Sequence, residues 1–194
     1  MKTRCRLRRR SLLSGKGSAI RFSVDFPGSV EHDKGVGSRG NFFVETHELA
    51  KLLIESYRRA TGRNLLDPEP PPGQEAEALF EAPFALLSHG TEPDPILQYG
   101  NRKALELWET DWASFTSMPS RLTAEPAERG EREKLLRDVR EKGYSDGYRG
   151  VRISSGGRRF EIIDAVVWNV VDGQGVYRGQ AAMIPRWRYL SNQD

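Results

Sequence analysis

Few residues in this chain are of a type and spacing that could do covalent or metal chemistry. There are three histidines, His32, His47 and His89, and one cysteine, Cys5. None of the histidines pairs with the cysteine and no two sit at ligand spacing, so a metal site is not expected. A single thiol excludes an intramolecular disulfide and a cysteine-based zinc site. No serine lies in a G-x-S-x-G elbow, and no acid–base dyad can be read from spacing. Gly35–Gly40 reads GVGSRG and precedes a helix, but a dinucleotide fingerprint needs a strand running directly into it, and SVEHDK stands there instead. Ser14–Ser18 (SGKGS) has the Gly-Lys of a phosphate loop without the earlier glycine. His47 is expected to face solvent; His89, at a strand end, either bonds a carbonyl or lines a pocket rim.

More pointed are polar residues embedded in apolar surroundings: Arg121, Thr123 and Glu125 within PSRLTAE, and Asp164 in the middle of EIIDAVVW. A charge in an apolar strand is costly unless paired. Asp164 is expected to pair with Arg121 or Arg152, as a structural pair or as the contact that orients a ligand.

These residues must be positioned by local elements. Residues 41–62 form a first helix, with Asn41 as its cap, an apolar stripe of Leu49, Leu52, Leu53, Tyr57 and Ala60, and Gly62 to end it. Residues 67–74 (DPEPPPGQ) are a stiff, extended linker. Ala78–Gly90 supplies a first strand, and Ile96, Leu97 and Tyr99 a second. Gly100 lets the chain turn and Asn101 caps a short helix carrying Leu105, Leu107 and Trp108. Asp111–Ala127 has no clear period. Residues 128–142 form a charged helix with an edge of Leu135, Leu136 and Val139. Tyr148–Ile153, Arg159–Val171 and Val176–Ile184 then make a three-stranded meander, with glycines at both turns. Strict alternation puts Phe160, Ile162, Val166, Trp168 and Val170 on one face of the middle strand and Ile163, Ala165, Val167 and Val171 on the other. Both faces therefore want burial.

The totals bound the rest. The 194 residues suffice for one domain and an extension. Residues 1–40 hold ten Lys and Arg against three Asp and Glu, a net of +7, which out of a total of +3 leaves −4 for the remaining 154. The globular part is mildly acidic, so no nucleic-acid contact is expected through it. The longest apolar run, Ile162–Val171, is broken by Asp164 and Asn169 and falls short of the ~18 residues of a membrane helix. A soluble, cytoplasmic protein with no membrane contact is expected. The Arg- and Ser-rich start is expected to be a disordered extension, either transit-like, which would imply a plastid location, or a mis-called start.

The strand–Gly–Asn–helix entry PILQYGNRKALELWE resembles that of PAS domains. With Leu79–Gly90, Trp112, Pro119–Glu125, Gly143–Ile153 and Trp168–Gly179, the chain is similar to a MEKHLA domain from Phe42 to Trp187, a PAS-related module found alone or at the C-terminus of plant homeodomain–leucine-zipper factors. The resemblance implies an α+β fold at 41–190, with a PAS-like antiparallel sheet, helices on one face and the N-terminal helix covering the other. It implies a sensory or regulatory, non-enzymatic role, binding a small molecule or a protein partner and passing its signal to a homodimer or a separate output protein. Phe84, Leu86, Ile96, Tyr99, Leu105, Trp108, Phe115, Ile162, Val166 and Trp168 are the inward-pointing pocket candidates, with Arg121, Thr123 and Asp164 as polar ones; plain core packing is the alternative for the apolar set. A flavin–thiol adduct is excluded by Cys5 being the sole thiol. Haem would need His89 in an unusual role, while non-covalent flavin or another small molecule stays open. Two rivals are a protein–protein interaction or dimerisation module with a filled core and a small-pocket enzyme that acts on a hydrophobic substrate with a buried Asp164.

Overall fold

The computed structural model describes residues 38–123 and 129–191. The expectations for the basic extension and for Glu125 lie outside the described residues. Helix α1 spans Ser38–Thr61. It starts three residues before Asn41, which therefore sits inside it. Gly62 ends it with φ +70°, its N–H donating to the Arg58 carbonyl at 2.9 Å. Ala50, Leu53 and Tyr57, at helical spacing, are its buried edge.

After the proline-rich linker comes a helix where the sequence suggested a strand. α2 (Glu75–Phe80) takes EAEALF, whose two glutamates occupy a helical first turn. Strand β1 accordingly begins only at Ala85 and runs to His89. Then follow β2 (Leu97–Gly100), α3 (Arg102–Leu107), α4 (Trp112–Phe115), a 3-10 turn at Ser120–Thr123 and α5 (Arg129–Lys142). The last part is β3 (Tyr144–Ile153), β4 (Arg159–Val171), β5 (Tyr177–Ile184) and β6 (Arg186–Tyr189).

The sheet is antiparallel in the order β2-β1-β5-β4-β3. β6 was not expected. It pairs with the first half of β4 while β5 pairs with the second, so that edge of β4 is covered along both halves.

Each face of the sheet is buried. On the outer face Ala50, Leu53 and Tyr57 of α1 pack with Leu86, Tyr99, Val166, Trp168 and Val170. On the inner face α3 and α4 pack with Leu97, Trp108, Phe115, Phe160, Ile162, Ala165 and Ile184. β4 serves both, but not by simple alternation. Asp164 has φ +56°, and opposite it the pairing with β3 slips between Tyr148 and Gly150. This bulge flips the parity of the strand. Phe160 and Ile162 point inward before it, Ala165 and Val167 after it; Val166, Trp168 and Val170 point outward to α1.

Candidate functional site

Asn101 is where the inner and outer halves are locked together. Its side chain is fully buried, and as N-cap of α3 its Oδ1 accepts from Ala104 N–H at 3.1 Å. The same oxygen accepts from Leu86 N–H at 2.9 Å, and Nδ2 donates to the carbonyls of Phe84 at 2.8 Å and Leu79 at 3.4 Å. One amide thus satisfies groups from α2, from β1 and its lead-in, and from α3. Gly100 beside it has no freedom to carry a side chain, since a Cβ there would lie 2.4 Å from Phe115 Cε1.

Between the inner face and the helices lies a cavity of about 280 Å³. Its floor is Leu87 and His89 of β1, Leu97 of β2, Gln180, Ala182 and Ile184 of β5 and Ile162 and Val167 of β4; Trp108, Ser120, Thr123 and Leu135 close it, and Tyr148 and Arg152 of β3 form one wall. The lid is held by Trp108 Nε1, which donates to the Thr123 carbonyl at 3.3 Å, and Trp108 stacks edge-on against Phe160 at 5.2 Å. α5 is tied to the sheet by Asn169, whose Nδ2 donates to the Val139 carbonyl at 3.3 Å while its Oδ1 accepts from Gln180 Nε2 at 3.1 Å. His89 does both things open to it: Nδ1 lies 2.8 Å from the Gly90 carbonyl and so is the protonated nitrogen, and the ring lines the cavity. Among the described residues no carboxylate lines it.

Of the residues singled out in the sequence, His89, Trp108, Thr123, Arg152 and Ile162 line this cavity. Phe115 packs 6.0 Å behind Trp108, and Leu105 borders the same cluster. Phe84, Leu86, Tyr99, Val166 and Trp168 do not reach it; they belong to the cluster under α1. For Val166 and Trp168 the cause is the Asp164 bulge. Burial pushes the Tyr99 hydroxyl well above the ordinary phenol range. Ile96 lines a separate groove with Leu49 and Trp112. Arg121 is exposed and pairs with Asp94 at 3.0 Å. The pairing expected for Asp164 is corrected too: its partner is Arg186, on β6, and its side chain is 41% exposed. His47 is half-exposed, its Nε2 3.7 Å from Glu75. Sequence reasoning missed Gln180, Tyr148 and Val167 as lining residues; the alternation Gln180, Ala182, Ile184 along β5 was the available signal.

Among the described residues lining the cavity there is no cysteine, and none of them could form a thiol adduct with a flavin. Ligand pockets run to roughly 300–1,000 Å³, so a volume of this size suits a compact ligand. Among the described residues no cluster of metal-ligating side chains occurs and no helix is long and apolar enough to cross a membrane.

An antiparallel sheet in this strand order, with short helices enclosing a cavity on one face, is the PAS-like class of α+β fold. The fold is shared with the structure of an RNA-binding light-oxygen-voltage receptor (TM-score 0.50, 21% identity, 61% of this chain and 34% of that one). A PAS domain from Colwellia psychrerythraea is also similar (TM-score 0.48, 14% identity, 60% and 94% covered). Within that class the family is specific: the model of the MEKHLA domain matches residues 47–189, and the chain belongs to that family. Curated relatives include homeobox-leucine zipper protein HOX29 from Oryza sativa subsp. indica and from subsp. japonica, each 27% identical over 134 residues, 68% of this chain. The chain spans only 16% and 15% of the length of those relatives.

Proposed function

We propose that this domain is a sensory or regulatory module whose inner cavity takes a compact small molecule and whose signal leaves through α1. The observation that carries the reading is the double duty of β4. Val167 lines the cavity, and its two neighbours, Val166 and Trp168, face α1. Trp168 is fully buried, its ring edge-on to Tyr57 at 5.0 Å, and its Nε1 donates to Ser56 Oγ at 3.0 Å. Ser56 in turn donates to the Leu53 carbonyl at 3.2 Å. A shift of β4 on filling the cavity therefore changes how α1 sits, which is the two-state element a sensor requires. A partner protein or a second copy of the chain would read the change. The enzyme alternative needed a buried Asp164 beside the cavity, and Asp164 is instead exposed and ion-paired.

The test is native mass spectrometry on the protein purified from its own source, together with Ala182→Phe. Ala182 lies opposite Leu87 on β1 and Val167 on β4, in the middle of the cavity floor. A retained mass in the wild type that is lost in the variant supports the reading. Retention of the same mass by both places the molecule elsewhere and contradicts it.

A further inference from the structure

We infer that the cavity ligand is an organic anion, a compact apolar carboxylic acid, whose carboxylate is held by Arg152 and Tyr148 over Gly150. The inference rests on the cavity being a ligand site and deepens that reading. Arg152 is half-buried, lines the cavity and lies over the Tyr148 ring, its Cζ 5.5 Å from the centroid. Its one hydrogen bond is from Nη1 to its neighbour's carbonyl, that of Val151, at 2.9 Å. Among the described residues no carboxylate pairs with it. The surrounding arginines are all engaged: Arg149 and Arg188 on Glu161, Arg158 on Glu109, Arg186 on Asp164. An arginine facing a cavity with no acid among its described lining residues is a cation without a counter-charge there, in a partly desolvated place, and an anionic ligand would supply that charge.

A second observation converges on the same point. Tyr148 lines the cavity, and no hydrogen bond among the described residues engages its hydroxyl. Tyr148 and Arg152 both lean over Gly150, where an added Cβ would lie 3.0 Å from Tyr148 Oη and 2.9 Å from Arg152 Nη1. Glycine at that place lets a phenol O–H and a guanidinium N–H come together on the cavity side of β3. A charged guanidinium and a phenol O–H able to donate beside it are the complement of a carboxylate. Beside the polar Ser88, His89, Ser120, Thr123 and Gln180, the lining carries an apolar part, Leu97, Ile162, Leu135 and Trp108, which asks for an apolar body on that carboxylate.

The experiment is calorimetric titration of the full chain with benzoate, phenylacetate and octanoate, with the three corresponding amides, and with inorganic phosphate. At least one acid is expected to bind, with its amide about 10- to 100-fold weaker. Arg152→Met is expected to erase that preference and Arg152→Lys to keep part of it. Gly150→Ala, which displaces the guanidinium tip while leaving the backbone in an ordinary conformation, is expected to weaken the acid about 10-fold or more without changing the circular dichroism spectrum. Acids and amides binding alike, with Arg152→Met unaffected, would overturn the anion assignment and leave the ligand-binding role standing. Phosphate competing as well as the best acid would overturn the carboxylic-acid assignment. Binding of no member of the panel would overturn the inference, whereas the wild-type mass spectrum decides the sensor reading separately.

Discussion

Asn101 and Leu86 exchange two hydrogen bonds: the Asn101 backbone N–H donates to the Leu86 carbonyl at 3.0 Å, and the Leu86 N–H donates to Asn101 Oδ1 at 2.9 Å. One residue thereby joins the start of α3 to β1, at a side chain packed in the cluster under α1. Replacing it with alanine strands the N–H groups of Leu86 and Ala104 and the carbonyl of Phe84 in a buried place. At about 1–3 kcal/mol for each orphaned group, Asn101→Ala should cost at least about 3 kcal/mol, read as a lower urea midpoint. Asn101→Asp should also destabilise, because a carboxylate oxygen would face the Phe84 and Leu79 carbonyls that Nδ2 now serves.

The contact between Trp168 and Ser56 separates coupling from stability. Ser56→Ala leaves the indole N–H buried and unpaired and should cost about 1–3 kcal/mol of unfolding free energy. Ligand affinity should change less than stability does, because Ser56 lies on the face of the sheet away from the cavity. Thermal unfolding and a binding isotherm on the same sample check both.

Asp164 occupies a left-handed conformation that β-branched residues resist. Asp164→Val should therefore lose about 1–2 kcal/mol from backbone strain, with Arg186 left unpaired, while Asp164→Gly should stay within about 1 kcal/mol of wild type. Urea unfolding of the two variants, compared with Arg186→Ala, separates strain from charge. Equal loss in the valine and glycine variants would show that the ion pair and not the bulge matters.

Acid should loosen the domain through Asp172, Asp111 and Glu81. The Val176 N–H bonded to Asp172 holds its carboxyl below the ordinary 3.8, with Arg178 and the Gln174 N–H adding to it. The Ser114 N–H does the same for Asp111, the N-cap of α4, and the Arg102 guanidinium for Glu81. All three are depressed, so the folded state binds fewer protons than the unfolded one. Their contribution is complete above the unfolded values, near 4, and is lost as pH falls through the lower folded values. Asp172→Asn should flatten stability against pH below about pH 4, measured by melting at several pH values.

What could be read in advance follows the length scale of the signal. The Asn101 cap, the Gly62 stop and the glycine turns of the meander are local chemistry, and each stands where its residues require. α2 was misread because Leu79 and Phe80 run into Phe84 and Leu86 as one apolar stretch, and only the preceding glutamates favour a helix. The Asp164 bulge is illegible for a deeper reason. A period-2 pattern shows which residues want burial but not where the parity breaks when both faces are buried. Hence Val166 and Trp168 were assigned to the wrong face. Arg152 could be singled out as charged, but what makes it notable is that no carboxylate among the described residues pairs with it, and only the folded chain shows that.

The most direct measurement is amide hydrogen exchange across Ala50–Tyr57, comparing the protein as purified with any retained molecule against the same protein stripped by unfolding and refolding. Slower exchange in that part of α1 in the loaded protein, alongside protection of Gln180–Ile184, is the expected result. Protection confined to β5 with α1 unchanged, or no difference in either, would contradict a signal that leaves through α1.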